Sequence, residues 1–196
     1  AYSFRHSPVA MVAALTAFVL IFAAVFAYWV APHNPFDLAT INLLDASLPP
    51  SWEEGGNPKF WLGTDDQGRD IFSAVIYGMQ ISLLIGIASV VLSVVMGVGL
   101  GLLSGYVGGR IDAFIMRVCD VMLSFPAILV ALLIDGVARA VLPRDSHNEL
   151  AFGVLIIAIA LSGWVQYART VRGSTLVEKN KEYIQAARVI GVSPRA

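Results

Sequence analysis

Long apolar runs alternate with polar segments along this chain, and the runs are too long for soluble helices. Val9 to Val30 is 22 residues without a charge, Ile71 to Gly109 is 39, and Leu150 to Ala168 is 19. At 1.5 Å per residue the first run is roughly 33 Å long, enough to cross the hydrocarbon of a bilayer. A secretory signal peptide is its rival reading, but the run is too long and no small-residue cleavage site follows. It predicts a retained membrane helix with Tyr28 and Trp29 at the far interface. As one straight helix the 39-residue run would reach about 58 Å, nearly twice the hydrocarbon thickness. It predicts a break: a short amphipathic elbow from about Asp70 to Met79, then a membrane helix from about Ile81 to Leu103. A third membrane helix is predicted from about Ile115 to Leu133, kinked at Pro126, and a fourth over Leu150 to Ala168.

The polar segments are informative in turn. Ala31 to Arg69 holds more than half of the prolines, several acids, Trp52 and Trp61, and no sustained period, so it predicts a loop with some local order. Within it, Asp65 and Asp66 could suggest a metal or an acid–base pair; with no His or Cys near in sequence, a turn capped by Asp side chains is the better reading. Leu142 to Glu149 reads as a short polar loop in which His147 is solvated, with Arg169 and Arg172 marking the exit of the fourth helix. The last segment, Glu178 to Ala196, is polar and helix-forming. Asn180 can cap it, Glu182 sits in its first turn, Gly191 suits the left-handed position after its end, and Ser193-Pro194 opens a second short helix. Ala187 and Gly191 share one nearly flat face, which suits docking by another protein.

Composition agrees with the pattern: 57% of residues are hydrophobic, 14% are charged, and the net charge is −1. That is a membrane composition, and it offers no nucleic-acid-binding surface. A single cysteine, Cys119, rules out an internal disulfide and a cysteine-based zinc cluster. Gly97, Gly101 and Gly105, four apart, form a small-residue row that lets another helix backbone approach; Gly99 is off the row. A phosphate loop is excluded, because the Lys-Ser/Thr ending and a preceding strand are missing. Asp120 and Asp135 are ionisable groups in apolar helices and so candidates for function at membrane depth, although Arg139 lies one turn from Asp135 and can pair with it. With the N-terminus inside, nine basic residues fall on the inner side and four on the outer, which favours this orientation.

The pattern Ala186-Ala187-x-x-x-Gly191 resembles the cytoplasmic coupling loop of the membrane subunits of bacterial ATP-binding cassette importers, with Gln185 where that family has Glu. Gly63-Thr64-Asp65-Asp66-Gln67-Gly68-Arg69-Asp70 resembles a signature of the peptide-importing branch, and Pro49 to Gly56 is similar to the dipeptide permease C type. The Gly-Tyr-x-Gly-Gly turn at Gly105 to Gly109 and Arg117-x-x-Asp120 with Pro126 fit the same family.

The resemblance implies an all-α polytopic bundle of the type I importer class. Four of six expected membrane helices would lie in this piece, which would be a fragment. Its parts would be a first membrane helix over 1–31, a periplasmic loop and elbow over 32–78, core helices over 79–175, and a truncated coupling loop over 176–196. Tyr183, Gln185, Ala186, Ala187 and Gly191 would dock an ATPase. The chain would be a non-enzymatic permease of the inner membrane with a cytoplasmic N-terminus. Its partners would be a second permease, two ATPase subunits holding ATP and Mg, and a periplasmic solute-binding protein. The cargo would be di- or oligopeptides. Nickel chelates or glutathione are alternatives within the family; a proton-coupled secondary transporter using Asp120 or Asp135, or a structural or signalling membrane protein, are the alternatives outside it.

Overall fold

The computed structural model describes residues 7–37, 41–141 and 147–191, and among them the chain is all-α. It divides into two units, Ala1–Leu84 and Ile85–Ala196, each taken by itself below.

In the first unit, α1 spans Pro8–Val25. Ser7 caps it by accepting the Ala10 N–H at 3.4 Å, and Pro8 fills the position where a missing N–H costs nothing. The predicted helix to Val30 is interrupted at Phe26, and a single turn, α2 (Ala27–Val30), completes it. Most large apolar side chains of α1 are exposed, as a lipid-facing helix requires. The following segment is locally ordered. A 3-10 turn, Leu43–Asp45, is capped by Asn42, whose side chain accepts the Leu44 N–H at 3.1 Å. Two glycines in the left-handed region fold the Gly63–Asp70 stretch back onto it. A Cβ on Gly63 (φ +80) would lie 2.3 Å from the Leu48 carbonyl, and one on Gly68 (φ +79) 2.3 Å from that of Asn42. Only glycine allows both the dihedral and the approach.

Helix α3 runs from Ile71 to Val107 without interruption, 37 residues or about 55 Å. This corrects the predicted elbow and break. The segment has no proline, and the glycines nearest the expected break, Gly78 and Gly86, face open space, so nothing displaces the hydrogen-bond ladder. A helix longer than the hydrocarbon can tilt or project rather than break.

The second unit holds most of α3 and four further helices. α4 (Gly109–Ser124) and α5 (Ala127–Val141) meet at 93°. A kink at Pro126 was predicted; the structure makes a corner. Phe125 is driven into the extended region (φ −100, ψ 133) by the proline that follows, and the Pro126 carbonyl opens the next helix by accepting the Leu129 and Val130 N–H groups.

α6 spans His147–Lys179, eleven residues beyond the predicted end at Ala168, because Arg169 and Arg172 find carboxylate partners on α4 instead of ending the helix. The predicted loop at Leu142 to Glu149 is corrected at its end, since His147, Asn148 and Glu149 are already helical; 142–146 lie outside the described residues. Polar residues suit a first turn, whose N–H groups lack helical partners. Among the described residues, three helices are long and apolar enough to cross a membrane, and the bent α4–α5 pair makes a fourth if it counts as one span.

The core of this unit joins Ile115 and Cys119 of α4 to Trp164, Val165 and Ala168 of α6, with Met96 and Leu100 of α3 packed against them. Cys119 is fully buried here, and burial alone accounts for it. α7 (Glu182–Val189) follows α6 after a two-residue break.

Candidate docking helix and the junction that carries it

α7 is short, polar and mostly exposed, so its position depends on how it is tied to α6. Asn180 was predicted to cap α7. Instead its side-chain amide donates back to the Leu176 carbonyl at 3.0 Å and closes α6. The Gln185 amide donates to the Asn180 carbonyl at 3.0 Å, tying the second turn of α7 to the break. Glu178, in the last turn of α6, accepts the Lys181 ammonium at 2.6 Å and the Tyr183 hydroxyl at 3.0 Å. That hydrogen bond to a carboxylate raises the pKa of the Tyr183 phenol.

Gly191 is left-handed (φ +81), where the helix ends. Tyr183, Gln185, Ala186 and Gly191 are exposed and Ala187 is half-buried, while a Cβ on Gly191 would meet nothing within 4 Å. Val189 and Ile190 add exposed apolar surface beside them. Ser193-Pro194 and the predicted second helix lie outside the described residues.

Beneath the hinge, α6 is fastened to two helices. The glycine row of α3 lies against it. A Cβ on Gly97 would stand 2.5 Å from Tyr167 Cβ, one on Gly101 2.6 Å from the Ala168 carbonyl oxygen, and one on Gly105 2.7 Å from Thr175 Cβ; Gly99 faces open space. Ser93 Oγ donates to the Ala160 carbonyl at 3.2 Å further along the same seam.

Near the Gly105 to Gly109 turn, Arg172 grips Asp112 with two prongs, Nε to Oδ1 at 2.5 Å and Nη2 to Oδ2 at 2.6 Å. Ser104 of α3 donates to the same Oδ1 at 2.5 Å, so one carboxylate joins α3, α4 and α6. Lys179 Nζ donates to the Tyr106 carbonyl at 2.7 Å. Asp112 was not singled out from the sequence. Its partner is 60 positions away, and the only local hint was an acid in the first turn of α4.

The other predicted acids are each paired. Asp120 accepts from Arg169, joining α4 to α6. Asp135 accepts from Arg139 at 2.8 Å within one exposed turn of α5. Pro126 stands at the α4–α5 corner between them. Among the described residues no group of three His, Cys, Asp or Glu could hold a metal.

In the first unit, Asp65 closes the turn of the Gly-Thr-Asp motif. Its Oδ1 accepts the Gln67 and Arg69 N–H groups, both at 2.9 Å, and its Oδ2 the Arg69 Nε at 2.7 Å. Burial would raise this carboxyl, but those donors together outweigh it and hold its pKa below the ordinary value. Asp70 caps α3 through the Ser73 N–H at 3.1 Å. The fold also brings a histidine that is distant in sequence to the end of this motif: His33 Nδ1 is 3.4 Å from Asp70 Oδ2 across 37 positions.

Among the described residues, helices long and apolar enough to cross a membrane several times define a multi-pass membrane protein. Comparison with known families agrees. Residues 97–196 match the binding-protein-dependent transport system inner membrane component, and residues 1–50 match the N-terminal TM domain of oligopeptide transport permease C. The chain belongs to the binding-protein-dependent transport system inner membrane components.

Among curated relatives, the di/tripeptide transport system permease protein DppC of Pseudomonas aeruginosa is 39% identical over 96% of this chain and 58% of its own length. The oligopeptide transport system permease protein OppC of Bacillus subtilis is 38% identical over 96% of this chain and 55% of its own. The glutathione transport system permease protein GsiD of Escherichia coli is 40% identical over 97% of this chain and 57% of its own. The chain thus spans little more than half the length of these relatives.

Proposed function

We propose that this chain is part of the permease subunit of an ATP-binding cassette importer that carries di- or oligopeptides across the bacterial inner membrane. Its N-terminus faces the cytoplasm. A second, different permease subunit completes the pathway, two ATPase subunits bind ATP and Mg below, and a solute-binding protein delivers cargo from outside. The chain itself does no covalent chemistry.

The observation that carries this reading is the way α7 is hung on α6. Tyr183, Gln185, Ala186, Ala187 and Gly191 offer a small, accessible face, and the Gln185–Asn180 and Tyr183–Glu178 bonds tie that face to the end of a 33-residue helix. The glycine row and the Asp112–Arg172 fork then bind α6 to α3 and α4. A push on α7 therefore moves a braced group of helices, the rigid-body kind of switching. Gln185 suits this hinge because its amide can donate to a carbonyl, whereas a glutamate would set an acceptor against an acceptor.

The test is co-purification of the ATPase subunits with the full-length permease, together with uptake of labelled dipeptide. Ala187→Trp and Gly191→Trp should release the ATPase and abolish uptake. Bound ATPase and normal uptake in both variants would sink the docking assignment. A second reading, glutathione as cargo, has the 40% identical GsiD relative behind it. Competition between labelled dialanine and glutathione for uptake separates the two. Asp135→Asn should leave uptake intact, and its loss would favour proton coupling through that acid.

A further inference from the structure

The side chain of Asp70 is 2% exposed, yet only half of it is used. Its Oδ2 accepts the Ser73 N–H at 3.1 Å and the Ser73 hydroxyl at 2.5 Å, and faces His33 Nδ1 at 3.4 Å. Its Oδ1 is buried and has no partner among the described residues. Capping a helix needs one oxygen; a second, buried without a donor, bears the cost of its lost hydration. Asp70 also lines a cavity of about 330 Å³, together with Pro32, Pro58, Lys59, Trp61 and Phe72.

The walls decide what that cavity could hold. An anion would be repelled by Asp70. A hard divalent ion wants six or more oxygens, and the described residues hold no such cluster. An organic ammonium fits on three counts. It brings N–H donors, its charge matches the carboxylate, and the rings of Trp61 and Phe72, 6.1 Å apart, attract cations. Lys59 stands at the same cavity with its Nζ 5.1 Å from the Phe60 ring centre. Its charge disfavours a bare cation and suits a ligand that also carries a carboxylate. The volume lies at the small end of ligand pockets, which suits a dipeptide.

We propose that this cavity binds the free N-terminal ammonium of a short peptide, seated on Asp70, with Lys59 facing the peptide carboxylate. The peptide identity rests on the transport reading above; the ammonium preference rests on the cavity alone.

The test uses the full-length permease, assembled with its partner subunits in lipid nanodiscs without binding protein or nucleotide. Ligand binding is followed by saturation-transfer NMR with dialanine, N-acetyl-dialanine and n-butylammonium. Dialanine should bind saturably. The acetylated peptide should bind roughly tenfold or more weakly, as should dialanine to Asp70→Asn. n-Butylammonium should bind more weakly than dialanine but with the same dependence on Asp70. Because Asp70 also caps α3, Trp61→Ala and Lys59→Ala serve as variants that leave the cap intact, and each should weaken dialanine several-fold.

Equal binding of the acetylated peptide would overturn the proposal, as would unchanged dialanine binding in both wall variants. n-Butylammonium binding without dialanine binding would overturn the peptide assignment. So would an Asp70→Asn effect confined to docking of the purified binding protein, which would give the site to a protein side chain. Uptake is measured separately. A transporter of other solutes would still bind n-butylammonium through Asp70, and a failed site would leave peptide uptake standing.

Discussion

Two neighbouring glycines of α3 should respond oppositely to the same methyl group. At Gly101 a Cβ would lie 2.6 Å from the Ala168 carbonyl oxygen and 2.9 Å from Val171 Cβ. Carbon atoms rest at about 3.5–4.0 Å, so Gly101→Ala forces α3 and α6 apart by roughly 0.6–1.1 Å along that seam. Two of the three opposing atoms belong to the α6 backbone and cannot rotate away. A gap of that size forfeits about a quarter to a half of each neighbouring dispersion contact, and overpacking costs about 1–3 kcal/mol. Gly99→Ala, two positions earlier, meets nothing within 4 Å and should gain about 0.5–1 kcal/mol from reduced backbone freedom. Thermal unfolding of the full-length protein in detergent micelles should show Gly101→Ala melting several degrees below wild type and Gly99→Ala at or above it. Equal shifts, or the reverse order, would refute close backbone packing between α3 and α6.

Four further outcomes are expected. Asp112→Asn loses the charge that Arg172 grips while keeping its shape. Discounted for partial solvent access, the loss is about 1–2 kcal/mol, read in the same melting assay. Thr64 is 4% exposed, and Thr64→Val removes a hydroxyl that accepts the Leu48 N–H at 2.9 Å and donates to the Asp45 carbonyl; about 2 kcal/mol of loop stability should go, seen as faster proteolysis between residues 41 and 70. Asp65 has a pKa below its unfolded value, so its contribution is complete above about pH 4 and falls away as pH drops through the lowered value; amide exchange in the 63–70 turn should accelerate there, and Asp65→Asn should remove that pH dependence. Gln185→Glu replaces a donor to the Asn180 carbonyl by an acceptor, at about 1 kcal/mol, so amide exchange within α7 should quicken roughly fivefold.

Much of the architecture was legible in the apolar runs, because a bilayer demands long stretches without charge and the chain supplies them. What misled was the assumption that hydrocarbon thickness limits a helix. α3 and α6 both continue past it, since neither holds a proline and the arginines at the end of α6 find carboxylates across the bundle. Pro126 showed where the chain would bend but not by how much, which the extended conformation of Phe125 decides. The glycine spacing pointed to a seam, and the structure identifies α6 as the helix that fills it. Contacts between distant positions, Asp112 with Arg172 and Asp70 with His33, leave no periodic trace, and Asn180 faces backward for reasons only the completed hinge reveals.

The uninterrupted length of α6 sets a gearing ratio. Its 33 residues reach about 50 Å, so a tilt of about 10° about the α7 end would sweep the opposite tip by roughly 9 Å. A small rotation at that end is thereby magnified along a single stiff rod. A helix broken in mid-membrane would lose the same rotation in flexing its own joint.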